Sequence, residues 1–317
     1  MAWRLRLVPE KTNIDFFRLQ WVTFGGSMAL MVVAFLLWGI MGLNFGIDFQ
    51  GGTSIRTDSP TAIDVGEYRK TLETLDIGDL SITEVFDPTF RADQHVAIIR
   101  LGAVDGQETV SPAALAKLQA AMTAMDPAIT FVSTETVGPK VSSELIRNSI
   151  LAVLATSVGI MVYIWLRFEW QFALGGVLAL LHDVFITIGI FALFQIKFDL
   201  NIVAALLTIL GYSINDTVVV FDRLRENLIK YKVMALRDVM NLSVNETLSR
   251  TLMTSLTTLM AVGAMLVFGG DVLRGFSFAI FMGVILGTYS SVYVAKNIVL
   301  ILGLDRGAKA AEAKAEA

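Results

Sequence analysis

The sequence predicts a multi-pass α-helical membrane protein in which six transmembrane helices carry one small α+β domain. The first observation is composition: 55% of the 317 residues are hydrophobic, 17% are charged and the mean hydropathy is +0.65, which is more apolar surface than one soluble core can hide. The second is a set of six apolar runs, and the third is a polar insert of about 100 residues between the first two runs. The absence of cysteine excludes a disulfide framework and thiolate chemistry.

Each predicted span satisfies a length rule, since about 20 apolar residues at 1.5 Å per residue cross a hydrocarbon core of about 30 Å. The spans occupy residues 22–43, 146–166, 172–194, 202–221, 251–268 and 276–302. Basic residues precede the first span, as they would in a signal peptide. Its apolar run is longer than the usual stretch of roughly 7 to 15 residues and no small-x-small cleavage site follows it, so it is predicted to be a retained anchor.

Basic residues in the connections predict the orientation of the chain. They are concentrated in the amino-terminal segment 1–21, in the loop 222–250 and in the alanine-rich tail 303–317, whereas the short connections on the other side carry Lys197 and Arg274. By the positive-inside rule, both termini and the basic loop are predicted to be cytoplasmic.

The polar insert, residues 44–143, is predicted to lie on the opposite, periplasmic side. Its runs follow the order βαββαβ, which is typical of a small ferredoxin-like domain. The strands are predicted at 53–58, 80–87, 94–101 and 128–137, and the helices at 61–76 and 112–125. Gly51, Gly52, Gly138 and Pro139 bracket the insert, and these positions are either hinges or ordinary loop punctuation.

Asp216 in the fourth span poses the main functional question, because a carboxylate inside a bilayer costs a few kcal/mol. At 100° per residue, Asp216 shares a narrow stripe with Asn201, Ala205, Thr208 and Tyr212. The large aliphatic residues of this span lie elsewhere around the helix. Asp216 is therefore predicted to face protein rather than lipid.

Arg250 is the predicted partner of Asp216. It begins the fifth span at about the depth of Asp216, which lies roughly 9 Å from the cytoplasmic end of its own helix, and Thr254 continues its face. An opposite charge favours the ionised carboxylate whereas desolvation opposes it, so a balanced site can bind and release a proton. A static buried salt bridge that fixes the helix register is the alternative, and both interpretations stay open.

His182 and Asp183 mark a second polar position, near the middle of the third span. The carboxylate is predicted either to carry protons or to complete a polar contact within the bundle. Asn215, Tyr212 and Thr254 are further candidates for relay or polar support.

Small residues recur every four positions along the sixth span. The predicted ridge consists of Gly275, Ala279, Gly283, Gly287 and Ser291 and continues to Ala295. Such a ridge lets helix backbones approach closely. The helix that packs on it belongs either to this chain or to another subunit.

Six segments, in order along nearly the whole chain, resemble the signature segments of the SecD/SecF family of bacterial protein-export membrane proteins, a branch of the RND superfamily. They are FGIDFQGG at 45–52, VGPKVS at 137–142, LHDV at 181–184, INDTVVVFDRLREN at 214–227, NETLSRTLMTSLTT at 245–258 and FMGVILGTYSSVYVAKNIV at 281–299. The first residues, the interior of the insert and the tail lie outside the resemblance.

The resemblance implies one half of an RND-like bundle of twelve helices, completed by a SecD subunit in the lipid bilayer of the bacterial inner membrane. It implies association with the SecYEG channel and often YajC, and use of the proton-motive force to help move unfolded polypeptides outward. Asp216 matches the proton-relay aspartate of the family and Arg250 its essential arginine. Protons are the expected coupling ion, and no other cofactor, metal or nucleic-acid partner is expected.

Two alternatives belong to other classes of protein. One is a self-sufficient RND-type exporter of small molecules, which would be expected to have two six-span halves or to form homo-oligomers. The other is an intramembrane aspartyl protease built on Asp183 and Asp216, but the local sequences lack the Tyr-Asp and Gly-x-Gly-Asp patterns of that class. No GxxxxGK[ST] loop is present, so the chain is not expected to hydrolyse ATP. The resemblance implies a proton-driven translocation subunit rather than an enzyme.

Overall fold

The computed structural model describes residues 12–62, 64–75, 80–85, 90–91, 93–102 and 111–304. The basic residues of positions 1–11 and 305–317, which contribute to the predicted orientation, lie outside this part of the chain. In chain order the elements are α1 (Gln20–Met41), α2 (Ile47–Gln50), β1 (Gly52–Ser59), α3 (Val65–Glu73), β2 (Leu80–Val85), β3 (His95–Leu101), α4 (Pro112–Met125), β4 (Thr130–Val137), α5 (Pro139–Arg167), α6 (Trp170–Phe194), α7 (Leu200–Lys230), α8 (Leu236–Phe268), α9 (Gly270–Ser290) and α10 (Lys296–Leu302), with a π-helical turn at Ser291–Ala295 between the last two.

Six of these helical stretches are long and apolar enough to cross a membrane: α1, α5, α6, α7, α8 and the continuous run from Val272 to Leu302. They differ in burial. Half or more of the residues in the apolar windows of α6, α7 and the last stretch are buried inside the protein, whereas 11% are buried in those of α1, α5 and α8. The bundle therefore has a centre of three helices and a periphery of three.

The segment 222–250, predicted from hydropathy as a loop, is helical except for the turn at 231–235. Here α7 and α8 continue beyond their apolar spans as an antiparallel pair. Ion pairs stabilise this extension: the Arg223 guanidinium lies 2.6 Å from Glu226 on the same helix and 2.7 Å from Glu246 on α8. A hydropathy window detects only the part of a helix that can lie in hydrocarbon, so it does not register the polar continuation.

The insert between α1 and α5 folds as a small antiparallel sheet with strand order β2-β3-β1-β4. Both α3 and α4 pack on one face through a core that includes Ile55, Leu72, Ile99 and Leu118. The first turns of the two helices are capped by Asp64 and Ser111, whose side chains accept backbone N–H hydrogen bonds. The element order in this domain agrees with the predicted one.

The joints between the sheet and the helices are short and closely packed. Gly51 and Gly52 have φ angles of 74° and 108°, and a Cβ atom on Gly52 would collide with the carbonyl oxygen of Leu101. Glycine is required at Gly52 for both reasons. Gly138 is the single residue between β4 and α5, and Pro139 occupies the first turn of α5, where its missing N–H costs nothing. The hinge role of these four positions stays a prediction.

Candidate functional site in the helical bundle

Asp216 lies at the centre of the described bundle, 3% exposed, on the face of α7 that packs against its neighbours. Its carboxylate lies 3.5 Å from the Ser255 hydroxyl on α8. Ser255 in turn lies 2.6 Å from the Thr288 hydroxyl on α9, and Thr254 is a second hydroxyl beside the carboxylate. Two hydroxyl groups of α8 thus lie beside the Asp216 carboxylate, and one of them connects it to α9 through Thr288.

Arg250 is exposed on α8 and lines a cleft of about 540 Å³ between α5, α7 and α8. Among the described residues, its guanidinium is not within 4.0 Å of the Asp216 carboxylate, although its charge acts on that carboxylate through space. The remaining lining residues are Tyr163, Arg167, Phe168, Val218, Val219, Asp222, Arg223, Glu226, Glu246 and Thr247. The arginine is therefore adjacent to the buried acid without forming a closed ion pair.

Asp183 is completely buried on α6 and joins three helices. Its Oδ2 atom accepts hydrogen bonds from Ser213 on α7 at 2.8 Å and from Ser290 on α9 at 2.7 Å, and its Oδ1 atom lies 2.9 Å from Nδ1 of His182. In the described part of the chain, Asp183 and Asp216 have no hydrogen-bonding partner in common. An aspartyl dyad, as in the protease alternative, is not formed in this conformation.

The small-residue ridge of the sixth span lies against α7 of the same chain. A Cβ atom on Gly283 would overlap the Ile209 side chain, one on Gly287 would lie 2.9 Å from Ser213, and one on Gly275 would lie 3.2 Å from Ile202. Ala279 is fully buried in the cluster shared by these helices. The close approach of α9 to α7 places Ser290 and Ser213 around the same carboxylate.

The other polar candidates occupy different surroundings. Tyr212 is half-buried, and its hydroxyl makes no hydrogen bond within the described residues. Asn215 is exposed on the outer side of α7, in a stripe of small and polar residues that also contains Asn201, Ala204, Thr208 and Gly211. The predicted stripe through Asp216 therefore divides, because Asn201 and Thr208 face outward whereas Ala205 and Asp216 face the bundle.

Several polar residues of this region were not predicted. Ser213, Ser255 and Ser290 are single serines in apolar helices, and only the packing of different helices reveals their shared role. Lys296 carried a usable signal, since it is an ionisable residue inside the predicted sixth span. It is 1% exposed, and its Nζ atom lies 4.0 Å from the ring centroid of Phe17 and donates a hydrogen bond to the Phe16 carbonyl oxygen.

These features define a polytopic α-helical membrane protein whose central helices bury carboxylates beside a charged cleft. The chain matches two family models: "Protein export membrane protein SecD/SecF, C-terminal" over residues 117–305 and "SecD/SecF GG Motif" over residues 36–57. The chain belongs to the SecD/SecF family of protein-export membrane proteins.

The similar proteins include translocase subunits and larger export proteins. "Protein translocase subunit SecF" of Cereibacter sphaeroides is 67% identical over 99% of this chain and 97% of that protein, and the protein of the same name in Rhodobacter capsulatus is 64% identical over 96% and 94%. The crystal structure of SecDF, a translocon-associated membrane protein from Thermus thermophilus, gives a TM-score of 0.83 at 35% identity over 93% of this chain and 39% of that one. SecDF in a super-membrane-facing form gives 0.68 at 36% identity over 99% and 41%. The chain thus spans about two fifths of the length of the SecDF chains.

Proposed function

We propose that the chain is a SecF-type translocase subunit that works with a SecD subunit and uses the proton-motive force to promote export of unfolded polypeptides. The observation that carries the proton-coupled part is the burial of Asp216 among membrane helices, next to a cleft lined by Arg250. The names of the similar proteins support the export part. We also propose contact with the SecYEG channel and YajC, as the family resemblance implies.

Asp216 is the proposed proton acceptor. Burial opposes its ionised form, whereas the hydroxyls of Ser255 and Thr254 and the positive charge of Arg250 favour it. Because these influences oppose one another, a modest movement of α8 relative to α7 changes which protonation state is favoured. Protons are the coupling ion in this proposal, and the charged cleft is their route on the Arg250 side.

The proposed SecD contact uses the outward face of α7. Its exposed stripe consists of Asn201, Ala204, Thr208, Gly211 and Asn215. The Thr208 hydroxyl donates to the Ala204 carbonyl oxygen, but the amides of Asn201 and Asn215 are poorly suited to lipid, because hydrocarbon offers them no hydrogen-bonding partner. Small and polar residues are typical of helix–helix interfaces in membranes. A second six-helix subunit on this face would complete an RND-like bundle and place its own polar residues beside Asn215, the chain neighbour of Asp216.

The proposed location is the bacterial inner membrane, with both termini in the cytoplasm and the sheet domain in the periplasm. The basic residues of the α7–α8 extension support this orientation under the positive-inside rule. We further propose that the domain has ferredoxin-like topology, since the βαββαβ order and the strand order β2-β3-β1-β4 are those of that fold. Movement of this domain is the proposed output of the proton relay.

The energy available per proton limits the mechanism. One charge crossing about 100 mV releases roughly 2.3 kcal/mol, which biases a two-state equilibrium by a factor of about fifty. That bias is sufficient to change the preferred arrangement of α7 and α8 but not to drive a large rearrangement alone. Several protons per cycle, or an added pH gradient, are therefore part of the proposal.

The test compares export of a secreted reporter by membranes that contain Asp216→Asn, Arg250→Met or the unmodified protein, at equal abundance and equal SecD association. We expect both variants to lose the stimulation that depends on the proton-motive force and to retain the remainder. Asp238→Asn is the matched control, because this carboxylate is exposed at the start of α8 and is not among the residues that line the cleft. If Asp216→Asn and Arg250→Met both retain full stimulation, the pair is structural and the proposed relay is wrong.

A further inference from the structure

We infer that Asp48 is the positioning residue through which movement of α7 reaches the sheet domain. The inference rests on the proposed function and supplies its coupling route. Asp48 lies in α2, inside the segment that matches the GG-motif family model, yet its Oδ2 atom accepts a hydrogen bond at 3.0 Å from the backbone N–H of Leu200, the first residue of α7.

The contact belongs to a clamp, which we define as residues 44–50 packed on residues 195–200. Its backbone part is a parallel β-bridge between Phe45 and Phe198. Gly46 N–H donates to the Phe198 carbonyl oxygen and Phe198 N–H donates to the Asn44 carbonyl oxygen, both at 2.8 Å. A Cβ atom on Gly46 would lie 3.0 Å from Lys197, so the two segments run in close contact.

Aromatic side chains hold the clamp to the bundle. The Phe198 ring is surrounded by Phe45, Phe49 and Phe191, with centroid separations of 6.0, 5.9 and 6.1 Å. Offset and edge-to-face contacts at these separations add to the burial of the rings. Because Phe191 lies in α6, the clamp is anchored to the central helices and not only to the connecting loop.

The start of α7 depends on this arrangement. The first N–H groups of a helix have no partner within the helix, and negative charge is favourable there. Asp199 caps Asn201 and Ile202 from within the loop, whereas the Leu200 N–H is capped by Asp48, 152 positions earlier in the chain. An axial movement of α7 must therefore displace Asp48 or break its hydrogen bond.

The clamp continues directly into the sheet domain. The α2 helix is followed by Gly51 and then by β1, which begins at Gly52. The Ser142 hydroxyl at the start of α5 donates to the carbonyl oxygen of Ile47 in α2. Asp216 lies 16 residues, or about 24 Å, along the same continuous helix from Leu200. A helix is stiff along its axis, so a shift at Asp216 arrives at the clamp with little loss.

The experiment measures distances between the sheet domain and the bundle in the complex with SecD, in lipid vesicles. Since the chain lacks cysteine, spin labels on cysteines introduced at Ala124 of α4 and Leu193 of α6, both exposed, report a single distance distribution. The distribution is recorded with Asp216 intact and with Asp216→Asn, which mimics the protonated carboxyl group. Each measurement is repeated with Asp48→Ala, Asp48→Asn and Asp64→Ala.

We expect Asp216→Asn to shift the distribution when Asp48 is intact, and Asp48→Ala to abolish the shift. Asp48→Asn should preserve it, because the amide oxygen can still accept from Leu200. Asp64→Ala is the matched control: it removes an aspartate cap of the same kind, but one that lies wholly within the sheet domain, and should leave the shift unchanged.

The inference is overturned if Asp48→Ala leaves the shift intact, or if Asp64→Ala abolishes it equally. It is also overturned if Asp216→Asn shifts nothing while eliminating proton-dependent export. The relay then acts without moving this domain, so proton-coupled export stands and the proposed movement of the domain fails. The proposed function itself fails if Asp216→Asn exports normally. In that case, if Asp216→Asn still shifts the distance distribution and the shift still depends on Asp48, the clamp remains a mechanical link between α7 and the sheet domain.

Discussion

Replacing Gly283 by alanine is expected to force α9 away from α7. The new Cβ atom would lie 2.9 Å from Cγ2 of Ile209 and closer still to its Cγ1 and Cδ1 atoms. A rotamer change cannot relieve contacts with both γ carbons, because both are attached to the same Cβ atom. Ordinary contact at about 3.5 Å or more therefore requires the two backbones to separate.

The expected magnitude follows from two opposing contributions. Overpacking of this kind costs about 1–3 kcal/mol, while alanine in place of glycine favours a helix by up to about 1 kcal/mol. Gly159→Ala on α5 isolates the second contribution, since no atom lies within 4 Å of its added Cβ. Gly283→Ala should therefore be less stable than Gly159→Ala by about 1–3 kcal/mol.

The assay is the free energy of unfolding by steric trapping in lipid bicelles, measured for both variants and for a double-mutant cycle with Ile209→Ala. Ile209→Ala alone should destabilise, but in the Gly283→Ala background it should restore space and give a coupling energy of about 1 kcal/mol or more, opposite in sign to the single effects. Equal stability of Gly283→Ala and Gly159→Ala, together with zero coupling to Ile209, would refute the proposed contact between α9 and α7.

Two further predictions concern carboxylates. Asp183→Ala should destabilise the bundle by several kcal/mol, because it leaves the buried hydroxyls of Ser213 and Ser290 without their acceptor. Steric trapping measures the loss of unfolding free energy. A loss below about 1 kcal/mol would contradict the role of Asp183 in joining α6, α7 and α9. The other carboxylate lies in the sheet domain, where hydrogen bonds from Ser59 and Thr61 lower the pKa of Asp126 below its ordinary value. These hydrogen bonds contribute fully to stability above the pKa of Asp126 in the unfolded chain, about 3.9. Their contribution is lost as the pH falls through the lower pKa of Asp126 in the folded protein. Hydrogen exchange of the β1 amides in the intact protein should accelerate in that acidic range. Asp126→Asn should weaken the protection of these amides at pH 7 and make the protection depend less on acidic pH. If the pH dependence of protection is the same in this variant as in the unmodified protein, the stabilising role of the Asp126 carboxylate is contradicted.

Local patterns predicted much of the architecture. The alternation of polar and β-branched residues in the insert predicts strands that the structure places within one or two residues, as for β3 at His95–Leu101. The helix predicted at 112–125 is likewise found as α4, Pro112–Met125. The stripe through Asp216 likewise predicts that its carboxylate faces protein, and it is 3% exposed. These features depend on the period of a single element, which adjacent residues are sufficient to define.

Features that depend on contacts between different helices were harder to predict from the sequence. As a carboxylate in an apolar helix, Asp183 is recognisable in the sequence as a candidate polar site. Its partners Ser213 and Ser290 are not, because they lie 30 and 107 residues later in the chain. Arg250 was predicted as a direct partner of Asp216 from similar depth alone, whereas the structure places it on a cleft with hydroxyl groups nearer to the carboxylate. Similar depth fixes the height of two residues in a bundle but not the rotation of their helices.

The length of α5 would set the amplitude of the proposed movement of the sheet domain. Its 29 residues form one unbroken helix of about 44 Å, and a single residue, Gly138, separates it from β4. If α5 pivots near Arg167, a tilt of about 5° moves its first turn by roughly 4 Å, whereas the same tilt moves the middle of the helix by only about 2 Å. The helix would then act as a lever arm that doubles a displacement arising at mid-membrane, and the number of residues in α5 would set the stroke.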